Sequence, residues 1–215
     1  MSNPETSMNG SIPYALGISS IVRIPIPGTG GLCIELKPRG RIPPGGSTST
    51  LFFQDISGKK HLRLDYGYNV ATKTINYHWN QARVYSQFGV SDHTPVGKSG
   101  VALYQAAKYF RYAGRTLAVA GVAIDIVSIV QSRTPMRRAS EAVSGWALAW
   151  TGCRAMGAGG AAAGALASPI GIAVGGIGGC VIGGLIGYQA GNYVGANVYD
   201  WANAMFISLP QVPKP

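Results

Sequence analysis

The sequence predicts an α+β protein, in which a small antiparallel β region of about five strands precedes a helical region that contains a glycine-zipper hairpin. Three observations support this. Residues 19–94 contain short runs in which apolar and polar residues alternate, bounded by Pro and Gly. After residue 95, apolar residues recur at helical spacing. Charged residues become rare toward the carboxyl end. We expect a flexible leader over residues 1–18, the β region over 19–94, the helical region over 95–203 and a tail over 204–215.

The five predicted strands are short and separated by turn residues. They are the runs SIVRIPI (20–26), GLCIEL (31–36), TLFFQDI (50–56), KHLRLDY (60–66) and KTINYHW (73–79). Pro/Gly-rich segments over residues 27–31 and 38–47 separate the first three of these runs. Such short strands with nearby breakers favour an antiparallel arrangement.

The last two predicted strands carry a polar face beside an apolar one. Alternation places on the polar face the candidate catalytic residues His61, Arg63, Asp65, His78 and Asn80. If the strands pair, a His–Asp contact becomes available for acid–base chemistry or phosphate binding, although polar side chains on the outside of a sheet are also the ordinary case. The three histidines have no spacing that defines a metal site, and we predict neither a metal nor a cofactor.

Helical spacing begins after residue 95, where Leu103 to Ser128 follow steps of three and four. Lys108, Arg111 and Arg115 lie on one flank of this helix, which either contacts solvent or lies on a membrane surface. After the linker RTPMRR (133–138), the run SEAVSGWALAWTGC predicts a second helix. A Ser-Pro pair at 168–169 is a favourable cap and first residue for a third helix.

This third helix contains a glycine at every fourth position, which we call the glycine ladder: Gly171, Gly175, Gly179, Gly183, Gly187, Gly191 and Gly195. A period of four matches the i, i+4 row of a helix. The ten glycines of residues 170–195 cost a lone helix about 8–10 kcal/mol relative to alanine, so close backbone packing or a bilayer must offset them. We expect residues 142–166 as the partner, crossing right-handed. We also expect Arg154 and Asp125 to pair when the helices fold together.

Charge is distributed unevenly. Of 18 Lys and Arg residues, 16 precede residue 142 together with seven of the eight acids, so the first 141 residues carry a formal charge of +9. Between Arg154 and Asp200 there is no Asp, Glu, Lys, Arg or His, which predicts burial in protein or lipid. The basic part favours an anionic partner, and nucleic acid, an anionic bilayer or an acidic binding protein would each satisfy the charge. We do not expect nucleic acid as a partner, because no run of five Lys or Arg residues occurs.

The amino terminus and the cysteines bear on localisation. The segment MSNPETSMNGSIPYALG has no basic region followed by an apolar run, so it does not predict a Sec signal peptide. The cysteines, Cys33, Cys153 and Cys180, form no CxxC pair. We expect them to be buried thiols made in a reducing compartment.

Three segments resemble the C-terminal toxin regions of bacterial polymorphic toxins, including Rhs-type and other type VI secretion effectors. These are LRLDYG…NYHWN, FGVSDHTPVG, and GGIGGCVIGGLIGYQAG…VYDWA, within roughly residues 50–202. The resemblance implies an antibacterial protein that is secreted without a Sec signal and enters a rival cell. It also implies a secretion-system or chaperone partner, and a cognate immunity protein that protects the producer.

Two toxin functions fit these features, and one function without toxicity does too. The first is an effector whose residues 145–195 insert into the target-cell membrane, associate into a pore-forming oligomer and permeabilise or depolarise it. The second is an enzymatic toxin, a nuclease or other hydrolase, that uses His78 and Asp65 while the helices serve translocation or packing. The third is a soluble binding module with a buried helical hairpin.

Overall fold

A computed structural model describes residues 10–166 and 168–208. The elements of this part of the chain are α1 (Ser11–Ser19), β1 (Ile24–Pro25), β2 (Cys33–Leu36), β3 (Thr48–Gln54), β4 (His61–Asn69), β5 (Thr74–Ala82), α2 (Tyr85–Phe88), α3 (Lys98–Gln131), α4 (Pro135–Gly164) and α5 (Pro169–Ser208). A β region followed by long helices confirms the predicted α+β class.

The five strands form one antiparallel meander in the order β1-β2-β3-β4-β5. Alternation sends one set of side chains to the core, where Leu51, Phe53, Leu62 and Leu64 are fully buried. The first run of the sequence contributes only the two paired residues Ile24–Pro25. The register of β4 on β5 places Asp65 opposite His78, as the polar-face prediction requires.

Helix α1 overturns part of the predicted leader. Residues 11–18 were expected to be flexible, but they belong to α1, whereas residues 1–9 of the leader lie outside the described residues. α1 packs on α3 through positions without a large side chain, since Gly17 faces Ala118 and Gly121 faces Tyr14. The segment lacks a clear apolar period because its contacts use the backbone.

The long helices begin close to the predicted positions. Gly171 N donates a hydrogen bond of 3.2 Å to Ser168 Oγ at the start of α5, which is the predicted cap. The helix continues to Ser208, so the tail prediction is wrong for residues 204–208, and residues 209–215 lie outside the described part of the chain. The sheet rests on the α4–α5 pair, where Ile24 packs at Gly157 and Ile34 packs at Gly176.

Candidate functional site

The glycine ladder packs along the backbone of α4, the partner that the sequence predicted. Each ladder glycine from Gly175 to Gly195 turns the Cα hydrogen that stands where a side chain would be toward one residue of α4. In the order of the ladder, these α4 residues are Gly160, Met156, Gly152, Leu148, Ser144 and Ser140. Gly164 faces the Gly171 carbonyl in the same way. The contact therefore runs antiparallel over almost the whole of α4 and advances by four residues on both helices.

This spacing explains how so many glycines remain helical. A Cβ at Gly183 would overlap the Gly152 carbonyl and lie 2.7 Å from Met156 Cβ, so larger residues cannot occupy the contact without moving the helices apart. Backbone-to-backbone dispersion contacts along the ladder offset the low helix propensity of glycine. Because a step of four exceeds the 3.6 residues of a helical turn, the two helices must wrap around each other right-handed to stay in contact.

A disulfide joins the two helices in the middle of the ladder. Cys153 of α4 is bonded to Cys180 of α5; both side chains are fully buried, and their Cα atoms lie 3.7 Å apart. The expectation of buried thiols is therefore wrong for this pair, because the glycine contacts bring the two backbones within bonding range. Cys33 is a free, partly buried thiol.

A buried carboxylate connects four helices. Asp125 of α3 is fully buried and accepts hydrogen bonds from Arg138 Nη2 at 2.9 Å, Trp146 Nε1 at 2.7 Å and Tyr188 Oη at 2.6 Å. It also accepts one from Gly10 N at 2.9 Å, next to the start of α1. We call these five residues the Asp125 cluster. With every acceptor position used, the cluster fixes the position of the α4–α5 hairpin against α1 and α3.

The predicted partner of Asp125 was wrong. Arg138 is in phase with the buried residues Ala142 and Gly145 of α4, whereas Arg154 follows the buried Cys153 and lies exposed on the outer side of the helix. The helix periodicity places Arg138 at the inner corner, where it reaches Asp125. The helical spacing of the small residues Ala142 and Gly145 already marks the buried side of α4 in the sequence, and Arg138 lies on that side.

The outer surfaces of the long helices are apolar. Two helical segments, Lys98–Gln131 and Pro169–Phe206, are long and apolar enough to cross a membrane by length and composition. Only 17% and 33% of their most apolar windows are buried, in contrast to the mostly buried core helix of a soluble protein. The exposed apolar residues of these two segments include Val119, Ile126, Val130, Val174, Ile182, Ile186, Val198, Trp201 and Phe206.

The polar face of β4 and β5 is more enclosed than a solvated surface. Asp65 accepts hydrogen bonds from Arg63 Nε at 3.0 Å and from Ser49 Oγ, and Arg39 Nη1 lies 3.9 Å from it. His61 Nε2 lies 3.2 Å from Arg63 Nη1. Ser49 and Arg39 were missed at the sequence level, because the pairing of β3 with β4 that places Ser49 opposite Asp65 is long-range.

His78 is the member of this face that has a ring nitrogen without a hydrogen-bond partner. Burial lowers the pKa of its imidazole, whose Nδ1 lies 3.1 Å from Asn76 Oδ1, while its buried Nε2 has no hydrogen-bond partner. No hydrogen bond joins His78 to Asp65, although the two residues are cross-strand neighbours. The fifth candidate, Asn80, lies opposite Arg63. Within residues 10–166 and 168–208, no group of three or more His, Cys, Asp or Glu residues is arranged to hold a metal ion.

Comparison of the chain with protein-family models, curated proteins and solved structures finds no match. Its function must therefore be inferred from its own geometry and chemistry.

Proposed function

We propose that this protein permeabilises membranes by placing its long helices in the bilayer. The observation that carries the proposal is the exposure of apolar side chains along two span-length helices whose inner contacts use glycine, alanine and a satisfied polar cluster. In water, exposed apolar area costs about 25 cal/mol per Å², whereas hydrocarbon removes this cost. Backbone groups inside the helices are already paired, which the bilayer interior requires.

Helix α5 has the dimensions for this role. Residues 169–199 contain no Asp, Glu, Lys, Arg or His and extend about 46 Å as a helix, more than the hydrocarbon thickness of about 30 Å. Its contact with α4 is made mainly by backbone and small residues, and Ser140 Oγ donates a hydrogen bond of 2.8 Å to the Gly195 carbonyl, so the hairpin can enter lipid as a unit. The disulfide between Cys153 and Cys180 favours that unit over two separate helices.

Arg154 bears on how copies of the hairpin assemble. It is exposed on α4 and faces away from the ladder, level with the middle of α5. An arginine at the bilayer centre costs about 2.5–3.5 kcal/mol on insertion scales and usually faces a bundle interior or water. We propose that several copies associate in the membrane with Arg154 lining the polar path between them.

The biological setting rests on the sequence resemblance to polymorphic toxin regions. We propose an antibacterial effector that is secreted without a Sec signal, acts on a target-cell membrane and is neutralised by a cognate immunity protein. A secretion-system or chaperone partner would shield the apolar helices before delivery.

The test is dye leakage from vesicles that contain phosphatidylglycerol, with two matched variants. Ile182→Lys and Ile75→Lys make the same change at exposed positions, the first on α5 and the second on β5. The first should reduce insertion about a hundredfold, from roughly 3 kcal/mol for a central charge, while the second should leak like the wild type. Absence of leakage by the wild type at any pH, or equal leakage by both variants, would overturn the proposal.

A second candidate function is supported by His78. A buried imidazole with a lowered pKa and an unpartnered Nε2 is neutral near pH 7 and can accept a proton, as a hydrolase base does. His78→Gln would then abolish toxicity in bacteria and leave vesicle leakage unchanged. In the membrane mechanism, toxicity persists in this variant and a membrane-potential dye responds before DNA or nucleotides are damaged.

A further inference from the structure

Arg111 has an unusual environment on α3. Only 6% of its surface is exposed, and its Nη1 is enclosed without a hydrogen-bond partner. Among the described residues, its guanidinium makes no hydrogen bond or ion pair, in contrast to Arg138, which is buried equally well and pairs with Asp125. A buried charge without a partner is costly, so the free protein holds an unneutralised cation at this position.

One neighbour of the Arg111 guanidinium is an exposed aromatic ring. Its guanidinium carbon lies 4.5 Å from the centroid of the Tyr112 ring, and Tyr112 is 59% exposed. Lys108 and Arg115 are exposed one helical turn before and after it, which completes a contiguous patch on the helix surface. We call these four residues the Arg111 patch. Helix α3 carries no acid before Asp125, so none on its own helix neutralises the patch.

We propose that Arg111 binds a phosphate group. The planar guanidinium presents parallel N–H donors that match two phosphate oxygens, while the exposed Lys108 and Arg115 attract anions to this part of the surface without contacting the bound phosphate. The contact of Tyr112 with the guanidinium is a cation–π interaction, which uses none of the N–H donors. A phosphate seated there supplies the counter-charge that Arg111 lacks in the free protein.

The position of the patch indicates which phosphate is available. Arg111 precedes Val119, the start of the exposed apolar part of α3, by eight residues or about 12 Å along the helix. In the bilayer arrangement proposed above, on which the lipid source depends, the patch reaches the headgroup level while the apolar part lies in hydrocarbon. The same phosphate chemistry is present in free inorganic phosphate, so the two sources must be separated by experiment.

Two substitutions with the same charge change provide the contrast. Arg111→Gln removes the enclosed guanidinium and Arg115→Gln removes an exposed one on the same helix. Loss of a general surface charge should weaken binding to phosphatidylglycerol vesicles about fivefold, as expected for Arg115→Gln. Loss of charge-assisted hydrogen bonds at Arg111 should weaken it about tenfold to a hundredfold. Arg111→Lys keeps the charge but lacks the paired N–H donors of the guanidinium, so its loss of binding should fall between these two values.

The full chain is measured in two arms. In the first, vesicle binding is compared for the wild type and the three variants. In the second, inorganic phosphate is added without vesicles and the melting temperature is recorded, which should rise for the wild type and Arg115→Gln and stay constant for Arg111→Gln. Because Arg111 has no partner in the free protein, Arg111→Gln should not lower the melting temperature without phosphate.

The two arms distinguish a site for lipid phosphate from a site for free phosphate. A selective vesicle defect in Arg111→Gln supports a lipid phosphate site. A selective loss of the phosphate response, with vesicle binding equal to that of Arg115→Gln, supports the site and assigns it to a free phosphate. Equal behaviour of Arg111→Gln and Arg115→Gln in both arms overturns the site, even if the wild type permeabilises vesicles. If the wild type does not bind vesicles, the membrane function fails and the phosphate arm alone decides the site.

Discussion

The β sheet and the α4–α5 hairpin sort their side chains in opposite ways. In β4, Leu62 and Leu64 face the core and alternate with His61 and Arg63 on the polar face. In the hairpin, glycine and alanine fill the inner contact while large residues such as Ile182 face outward. The sheet therefore buries large apolar residues, whereas the hairpin exposes several of its own.

This difference shows why glycine content alone is a poor guide to order. A glycine-rich segment is usually flexible, but here the glycines recur at the one spacing that lets two helical backbones touch. The small inner residues release the large apolar ones to the outside. Close packing inside and apolar exposure outside are therefore two consequences of one sequence pattern.

Removal of the Asp125 cluster should have the largest effect on stability. Asp125→Ala removes the closer carboxylate of the buried Arg138 guanidinium and leaves only Glu141 Oε2, 3.5 Å from Nη1. We expect a loss of about 3–5 kcal/mol in the free energy of unfolding. Denaturant titration without lipid measures it. Asp125→Asn, which keeps acceptor oxygen without charge, should lose less, and a loss below about 1 kcal/mol in the alanine variant would contradict the role of the cluster.

Reducing the disulfide removes a constraint on the hairpin alone. The bond closes a loop with a sequence separation of 27 residues, and we expect its loss to cost about 2–4 kcal/mol. The measurement compares unfolding of a Cys153→Ala, Cys180→Ala double variant with that of Cys33→Ser. The latter changes a thiol that forms no disulfide and should stay near the wild type.

Two substitutions in α5 distinguish the effect of the ladder contact from the effect of low helix propensity at glycine. Gly183→Ala places a methyl group against the Gly152 carbonyl and should cost about 1–3 kcal/mol. Gly178→Ala adds the same methyl group where nothing lies within 4 Å, and should stabilise the helix by about 0.5–1 kcal/mol. Changes of opposite sign in the melting temperature would confirm that the ladder glycines are in close contact with α4, whereas equal changes would show that this contact is absent.

The smallest effect belongs to the sheet. Because burial lowers the pKa of His78, the unfolded chain binds a proton that the folded protein excludes. Stability should therefore be complete above about pH 6.5 and decrease as the pH falls from there toward the lower pKa of the folded state. His78→Gln should flatten this part of the pH profile of unfolding. An unchanged slope would mean that His78 is not the group responsible.

Several features were predictable because they depend on local periodicity. The alternation of β4 and β5 predicted the common face of Asp65 and His78, and the four-residue glycine period predicted a helix packed on α4. Such patterns repeat over many residues, so the signal accumulates. The cap at Ser168 was equally local, since a serine before a proline is favoured at a helix start.

The features that were not predictable depend on single long-range contacts. Asp125 pairs with Arg138 because Arg138 lies on the buried side of α4, whereas Arg154, one residue after the buried Cys153, lies on the exposed side. Cys153 reaches Cys180 only when the two helices pack in the observed register. Helix α1 depends on glycine contacts with α3, which leave no apolar period in its own sequence. The hydrogen bond from Ser49 to Asp65 likewise needs the register of β3 on β4.

We propose that the outward face of α5 contacts lipid, and depth-dependent fluorescence quenching tests this directly. An environment-sensitive fluorophore is attached at Ile182→Cys or Ile75→Cys, each with Cys33→Ser, and vesicles carry a quencher in their acyl chains. Both positions are exposed in the structure, on α5 and on β5 respectively. We predict a blue shift and strong quenching of the label at position 182 and neither at position 75. An aqueous spectrum without quenching at both positions would contradict the claim.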